Sequence, residues 1–464
     1  MAVLQKKKFL VDSFCVIPNV FVFEDYSCVL NLANVERNSN KFYILQLLES
    51  DNIFYVYSRY GRVGETGVSQ NKNYPNLAAA IKEFMKRYKL KTGCVLGKTL
   101  ESKPNYYVNM EIDFVTPEVE LNPTLEIGSN TISLDSNLPV RIEIIIKELV
   151  DKKAISKMFK SFNINEKRLP LGKISGAQIQ KAHLILKNIE ENIKTDKHTG
   201  KLSSEFWTLV PYASGRSKPP PIIDSLEYIK LYSEFLDVLT NLQVTNKIID
   251  LNANEIYKSL GLELEPLEKE SEEWKIIETY VKKTHAPSHK YTLELEEIIQ
   301  IKHPTQLKKA GCLLFHGSRT SNFIGILKEG LRIPGDSQVV NGASIGRGIY
   351  FSDSITKSFN YCSENQGFVL LSEVDLGNNP EFLNKALFDD KPAKNFTSRI
   401  AEGRYTPNID EFLKIGEAIV PGGSLAESKS PFRIQSSFIY NEYVIFDKEQ
   451  YTPRYLLKLK KNKM

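Results

Sequence analysis

Leu313-Leu-Phe-His-Gly-Ser-Arg319, Gly346-Arg-Gly-Ile-Tyr-Phe351 running on to Tyr361-Cys362, and Tyr440-Asn-Glu-Tyr443 carry the most information in this 464-residue chain. None of the three is a phosphate-binding loop or a dinucleotide fingerprint. Together they place a His, two Tyr, a Ser and a Glu at the ends of expected strands and on one expected helix face. That set suits the grip of a flat aromatic amide and a ribose.

The local patterns give each residue a direction. Phe438-Ile-Tyr-Asn-Glu-Tyr-Val-Ile-Phe446 reads as a strand, so Tyr440, Glu442 and Val444 share one face while Asn441, Tyr443 and Ile445 share the other. A Glu in so apolar a run is costly to bury unless it is paired or used. Taken alone it is equally an edge-strand Glu facing water. After Tyr350, Ser352 or Asp353 can cap a helix running through Cys362. Ser358 and Tyr361 are then i, i+3 on one face, a hydroxyl beside an aromatic plane. By themselves Tyr361 reads as a core aromatic and His316 as a structural histidine. Gly317 next to His316 permits close approach of backbone to a ligand.

Length and composition bound the rest. A chain of this size exceeds one core, and about two to four domains are expected. With 42% hydrophobic and 25% charged residues the composition is that of a soluble globular protein. The net charge of +5 is uneven: residues 1–110 hold 15 Lys+Arg against 9 Asp+Glu, a local +6. This suits a polyanion-binding surface at the N-terminal end, or an ordinary solvated basic face. The five Cys (15, 28, 94, 312, 362) contain no CxxC pair, which argues for a reducing compartment and against a metal site. Lys6-Lys-Lys8 before an apolar stretch from Phe9 to Phe23 mimics a signal peptide, but Asp12 interrupts it. It reads as an entry arm and strand. No stretch approaches ~18 apolar residues, so no membrane helix and no membrane partner is expected.

Residues 1–19 read as an arm and 20–115 as one mixed domain. Phe42–Leu48 and Ile53–Tyr60 are β-rich runs around Asp51-Asn52, a hairpin signal. Ile81, Phe84, Met85 and Tyr88 then mark a helix with one buried face, whose other face carries Lys82, Lys86, Arg87 and Lys89. Residues 116–137, with Pro117, Pro123 and Gly128, read as a linker. Residues 138–265 read as a helical bundle. One stripe is Ile179, Ala182, Leu186, Ile189 and Ile193; another is Leu226, Ile229, Phe235, Leu236, Leu239 and Leu242. Pro219-Pro-Pro221 separates them. Residues 270–464 alternate strands with Gly and Pro clusters, as in a mixed-sheet enzyme domain. The expected class is α+β, multidomain.

The three opening pieces resemble the catalytic domain of the poly(ADP-ribose) polymerases, in the branch that responds to DNA breaks. The family's His-Tyr-Glu triad matches His316, Tyr350 and Glu442. Upstream, Leu169-Pro-Leu-Gly-Lys-Ile-Ser175 with Gln178-Ile-Gln180, and Phe206-Trp-Thr-Leu-Val-Pro211, resemble the family's helical regulatory domain. Tyr60-Gly61-Arg62-Val63-Gly64 resembles the WGR signature, with Tyr60 in place of Trp. Nothing resembles the zinc fingers of the largest members.

The resemblance implies NAD as a substrate, no metal, and roles residue by residue. Gly317 and Ser358 would hold the nicotinamide amide, and Tyr361 and Tyr350 would flank its ring. His316 would hold the adenosine-side ribose, with Ser318, Arg332 and Lys357 also lining the NAD site. Glu442 would bond the nicotinamide-ribose hydroxyl. Breaking the nicotinamide–ribose bond develops positive charge on the ribose, as in glycoside cleavage, and a shielded carboxylate stabilises it. Glu234 and Asp237, with Asn241 where an acid is usual, match the face by which the regulatory domain obstructs NAD until DNA binds. Tyr60, Arg62, Lys82, Lys86 and Arg87 would meet DNA strand breaks: Tyr60 by stacking, the helix lysines along the backbone, and Arg62 by phosphate contact or by relay to the bundle.

Departures from the family pattern cluster elsewhere. Ala401-Glu-Gly-Arg404-Tyr-Thr-Pro407 resembles the acceptor-side G-x-G-K-x-x-P loop with Ala401 and Arg404 changed, Gly335–Gly342 matches the substrate loop in position only, and Phe315 replaces a usual Trp. The basic end Lys458-Leu-Lys-Lys-Asn-Lys-Met464 is unlike the Leu-Trp end that engages an accessory factor for serine modification, so dependence on such a factor stays open. The resemblance implies a nuclear, DNA-break-activated poly(ADP-ribosyl)transferase acting on itself and chromatin proteins. A mono-ADP-ribosyltransferase and a catalytically silent DNA-end scaffold are the alternatives. A secreted ADP-ribosylating toxin fits less well, given the helical domain.

Overall fold

The computed structural model describes residues 9–97, 103, 105–111, 138–150, 174–246, 251–286, 289–333, 344–362, 365–387, 392, 394–428 and 430–463, with backbone alone for 241–246 and 463. The expected linker 116–137, the phrase 169–173, the loop 335–342 and the side chains of Asn241 and Leu242 lie outside the described residues. The chain divides into two compact units. One holds the N-terminal sheet and the helices up to residue 243; the other holds helix Val140–Leu149 and the described residues from 244 onward. No helix among the described residues is long and apolar enough to cross a membrane.

In the first unit an antiparallel sheet runs in the order β4-β3-β2-β1-β5. Its strands are β1 Phe21–Asn34, β2 Ser39–Ser50, β3 Ile53–Arg62, β4 Val68–Tyr74 and β5 Val108–Asn109. Asp51 and Asn52 join β2 to β3 with φ of 48° and 63°, the two positive values that a tight hairpin needs to match strand twist. Helix Leu77–Thr92 starts at Asn76, whose side chain accepts from Ala79 N, and stops at Gly93 with φ 70°. Its Ala80, Phe84 and Tyr88 pack on Leu30, Leu45 and Val56 of the sheet.

Asp12, which breaks the apolar run of the arm, is buried against Arg59, with Arg59 Nε at 2.7 Å from its carboxylate. The same unit holds helices Gly176–Lys194, Gly200–Leu209 and the start of Leu226–Asn246. The stripes Ile179, Ala182, Leu186, Ile189 and Ile229, Phe235, Leu236, Leu239 are buried as their spacing predicts. Leu226 is exposed instead, so that stripe begins one turn later. Asn31 Nδ2 on β1 donates to the carbonyls of Trp207 (3.0 Å) and Thr208 (2.9 Å), which ties sheet to helix.

The second unit is built on a seven-stranded sheet, β14-β15-β8-β10-β18-β7-β6. These are β6 Glu263–Pro266, β7 Tyr291–Lys302, β8 Cys312–Gly317, β10 Gln366–Val374, β14 Leu413–Ile415, β15 Ala418–Val420 and β18 Tyr451–Lys463. A four-stranded sheet, β11-β12-β17-β9, comprises β9 Ile349–Phe351, β11 Pro380–Leu383, β12 Ser398–Ala401 and β17 Glu442–Ile445. A third, small sheet pairs β13 Tyr405–Pro407 with β16 Leu425–Glu427.

The central strands read as continuous apolar runs because both faces are covered. Ile299, Leu314, Leu370 and Leu456 pack with Ile145 and Ile146 of helix Val140–Leu149. Their neighbours Ile298, Phe315, Val369 and Leu457 pack with Trp274, Ile277 and Tyr280 of helix Glu272–Lys283.

The expected strand Phe438–Phe446 is shorter than its pattern: only Glu442–Ile445 pairs in the sheet. The preceding carbonyls turn to other partners. Phe438 O accepts from Arg404 N at 3.0 Å and Ile439 O from Tyr405 N at 2.8 Å.

Candidate active site

His316 stands next to last on β8, where the strand pairs with β10 (Leu370↔His316). Phe315 exchanges backbone hydrogen bonds with Ser352 at 2.8 and 2.9 Å, which draws the end of β9 alongside. His316 Nδ1 then lies 2.8 Å from the Tyr350 carbonyl. A carbonyl only accepts, so Nδ1 carries the proton and Nε2 is left as an acceptor. Burial pushes the imidazole below its ordinary value, partly offset by that bond, so the ring is neutral at pH 7.

Tyr350 is held at both ends. Its hydroxyl donates to Gly346 O at 2.7 Å and accepts from Ile345 N at 3.2 Å. Burial raises its pKa above the usual phenol value, so it stays protonated. Val444 pairs with Tyr350 and Ala401 with Glu442, which fixes the third triad member relative to the second. Glu442 forms an ion pair with Lys357 through Oε1, and its Oε2 accepts from Ser344 Oγ at 3.4 Å. Burial lowers the Lys357 ammonium, and Glu442 beside it partly restores the value.

Lys357 and Ser358 ride on a short helix, Ile355–Phe359, followed by a tighter turn over Asn360–Cys362. The expected cap differs. Ser354 occupies the N-cap position without a side-chain capping bond, while Ser352 Oγ accepts from Ser354 N at 3.1 Å. Asp353 instead turns inward and is fully buried. Ser358 is buried and its hydroxyl donates to Phe315 O at 3.1 Å. Its proton is thus spent, and its lone pairs remain for an amide N–H. Tyr361 is 56% exposed. The backbone of Gly317 presses on Ser358: a Cβ there would fall 1.7 Å from Ser358 O. Ser318 Oγ accepts from Asn322 Nδ2 at 2.9 Å, and Arg332 is ion-paired with Glu329.

Strand alternation indicated Asn441 and Tyr443 only as the face opposite Glu442. The structure gives both a shared partner, with Asn441 Nδ2 at 2.6 Å and Tyr443 OH at 2.9 Å from Asp353 Oδ2. Burial raises the Asp353 carboxyl, against the bonds from Asn441 and Tyr443. Among the described residues no group of three His, Cys, Asp or Glu is placed to hold a metal.

The DNA-facing candidates lie in the first unit. Tyr60 stacks on Tyr43, its register partner, at 5.7 Å and 13°. Its hydroxyl accepts from Gln70 Nε2 at 2.9 Å. Arg62 faces a loop of the helical segment. It bonds the Gly215 carbonyl, Lys218 O at 3.0 Å, Asn38 O at 2.9 Å and Asn38 Oδ1 at 2.6 Å. Arg87 is paired with Glu83 at 2.8 Å, whereas Lys82 and Lys86 are exposed on the outer helix face. Glu234 is half-buried and Asp237 exposed. Asp237 Oδ1 lies 3.8 Å from Nε2 of buried His183, which burial depresses to about 4, so that His is neutral at pH 7.

Three stretches match known domain families. Residues 271–461 match the poly(ADP-ribose) polymerase catalytic domain, 136–269 the regulatory domain of that polymerase, and 26–95 the WGR domain. Among similar proteins, a poly [ADP-ribose] polymerase of Sarcophaga peregrina is 32% identical over 94% of this chain and 46% of its own length. Poly [ADP-ribose] polymerase 1 of Gallus gallus is 34% identical over 94% and 45%. Poly [ADP-ribose] polymerase 2 of Homo sapiens is 32% identical over 94% and 80%. The chain therefore spans about half the length of the first two relatives and most of the third.

Proposed function

Because this chain belongs to the poly(ADP-ribose) polymerase family and carries its NAD-dependent ADP-ribosyltransferase domain, we propose that it is a nuclear, DNA-break-activated enzyme that builds poly(ADP-ribose) on itself and on chromatin proteins. The observation that carries this reading is the placement of Glu442. It stands on the strand β17 that pairs with β9 of Tyr350 through Val444, and it is ion-paired with Lys357 and largely shielded from water.

In this reading Gly317 and Ser358 hold the nicotinamide carboxamide, with Ser358 accepting from its N–H. Tyr361 and Tyr350 flank the ring. Neutral His316 accepts from a ribose hydroxyl through Nε2, and Ser318 and Arg332 lie toward the adenosine. Glu442 accepts from the 2′-hydroxyl of the nicotinamide-side ribose and stabilises the positive charge that develops as the glycosidic bond breaks. The same carboxylate polarises the incoming acceptor hydroxyl. Lys357 orients Glu442 through their ion pair. Nicotinamide leaves, and the acceptor oxygen takes its place on the ribose.

The WGR domain is the proposed sensor of strand breaks, through Tyr60 and the exposed lysines of helix Leu77–Thr92. Arg62, bonded to the 214–218 loop, suits the relay role better than a phosphate contact. Glu234 and Asp237 are the proposed gating residues. The altered positions Ala401 and Arg404 favour a second reading, transfer of a single ADP-ribose unit. Labelled NAD with and without nicked, 5′-phosphorylated DNA, followed by a gel, tests the proposal. A DNA-dependent smear is expected. A discrete band would support the single-unit reading, and no nicotinamide release would overturn both.

A further inference from the structure

Asp353 is 1% exposed, lies between Tyr350 and Lys357 in sequence, and has no role in the mechanism above. A buried carboxylate is costly unless its bonds repay it. Its Oδ2 receives two donors, Asn441 Nδ2 at 2.6 Å and Tyr443 OH at 2.9 Å. These are the two residues on either side of Glu442, and strand alternation turns Glu442 away from them.

Asn441 extends the connection. Its Oδ1 accepts from Gly403 N at 2.8 Å, and its Nδ2 lies 3.2 Å from Thr406 Oγ1. Its backbone carbonyl accepts from Ser352 Oγ at 3.0 Å. Gly403 is seated against the chain at Tyr440, where an added Cβ would lie 2.3 Å from the carbonyl carbon. Arg433, whose charge favours ionised Asp353, is itself ion-paired with Glu402 of the same loop. One buried carboxylate thus reaches Glu442 from both sides and the 402–406 segment at three points.

We propose that Asp353 is a positioning residue that sets Glu442 in register with the 401–407 loop, so that an acceptor hydroxyl delivered along that loop meets the catalytic carboxylate. The inference rests on the ADP-ribosyl-transfer reading of the site. It is specific to transfer, because His316, Gly317 and Ser358 are held by other bonds. NAD binding and attack by water place weaker demands on the loop than attack by a bound hydroxyl.

The test compares Asp353→Asn with Tyr443→Phe in the full chain. Nicotinamide release, free ADP-ribose and polymer length are measured on the same samples. Asp353→Asn keeps the shape and one acceptor oxygen but removes the charge. Transfer should fall by about tenfold to a hundredfold, the scale of a misplaced reacting group, with KM for NAD little changed and hydrolysis to free ADP-ribose largely retained. Tyr443→Phe removes one donor and should shift the ratio of transfer to hydrolysis the same way, by less. It also serves as the readout if Asp353→Asn fails to fold. An unchanged ratio, or parallel loss of transfer, hydrolysis and NAD binding, would overturn the positioning role. No nicotinamide release by the unaltered protein would instead remove the reading beneath it.

Discussion

Lys357 and Glu442 form an ion pair in which the side chains are 20% and 14% exposed, with the carboxylate's second oxygen on Ser344. The pair joins the helix Ile355–Phe359, which carries Ser358, to the strand β17, which carries Glu442. Glu442→Gln keeps the shape and removes the charge. It should cut polymer growth by about a hundredfold or more, the scale of losing one preorganised electrostatic group, while NAD affinity stays within about twofold. Single-turnover assays alongside NAD titration check this, and normal polymer from the variant would sink the role.

The same pair predicts an alkaline limit. Burial holds the Lys357 ammonium below the ordinary 10.5, with Glu442 returning only part of the loss. The ion pair is therefore lost as pH rises through a value below 10.5. Since the folded value is the lower one, the site's cost to folding also shrinks across that window. The alkaline fall in kcat should begin below pH 10.5 and move upward in Lys357→Arg, whose guanidinium does not titrate there. An identical limb in both proteins would assign it to another group.

Gly317 offers a steric test. A methyl group there would lie 1.7 Å from Ser358 O, so strand β8 and the Ile355–Phe359 helix would have to separate. Gly317→Ala should destabilise the second unit by about 1–3 kcal/mol and remove binding of nicotinamide. Thermal melting with and without nicotinamide reads both effects. Retained ligand stabilisation would show that the close approach is dispensable.

Part of the fold was legible in the sequence. The Asp51-Asn52 hairpin, the buried face of helix Leu77–Thr92 and the triad strands follow from local pattern, since period and turn chemistry are short-range. What escaped the sequence is long-range. Asp353 looked like a helix cap, yet its partners lie 88 and 90 residues away. The Phe438–Phe446 pattern stops pairing before Glu442 because Arg404 and Tyr405 take the carbonyls of Phe438 and Ile439. Arg62 meets carbonyls more than 150 residues on, which no periodicity announces.

That last placement separates two kinds of basic residue. A side chain that neutralises a phosphate contributes about one unit to the salt slope of DNA binding. Lys82→Ala and Lys86→Ala should each lower the slope by roughly that amount. Arg62→Ala should leave the slope unchanged, because its guanidinium is engaged by Asn38, Gly215 and Lys218. It should instead weaken activation by DNA, and Lys should rescue poorly because one ammonium cannot span those acceptors. A reduced slope for Arg62→Ala would return it to the phosphate-contacting set.

The gating reading can be tested from inside the first unit. Leu236 is fully buried on the helix that bears Glu234 and Asp237. Leu236→Ala should cost about 2–5 kcal/mol of local packing, which raises the population of opened helix. If the regulatory domain restrains NAD access, activity without DNA should rise several-fold while activity with saturating DNA changes little, because the coupling acts on an equilibrium and leaves the chemical step alone. A chain beginning near residue 270 should show the same release without DNA. Silence of both proteins in the absence of DNA, with the DNA-stimulated rate of Leu236→Ala intact, would mean that DNA acts by a route other than relief of obstruction.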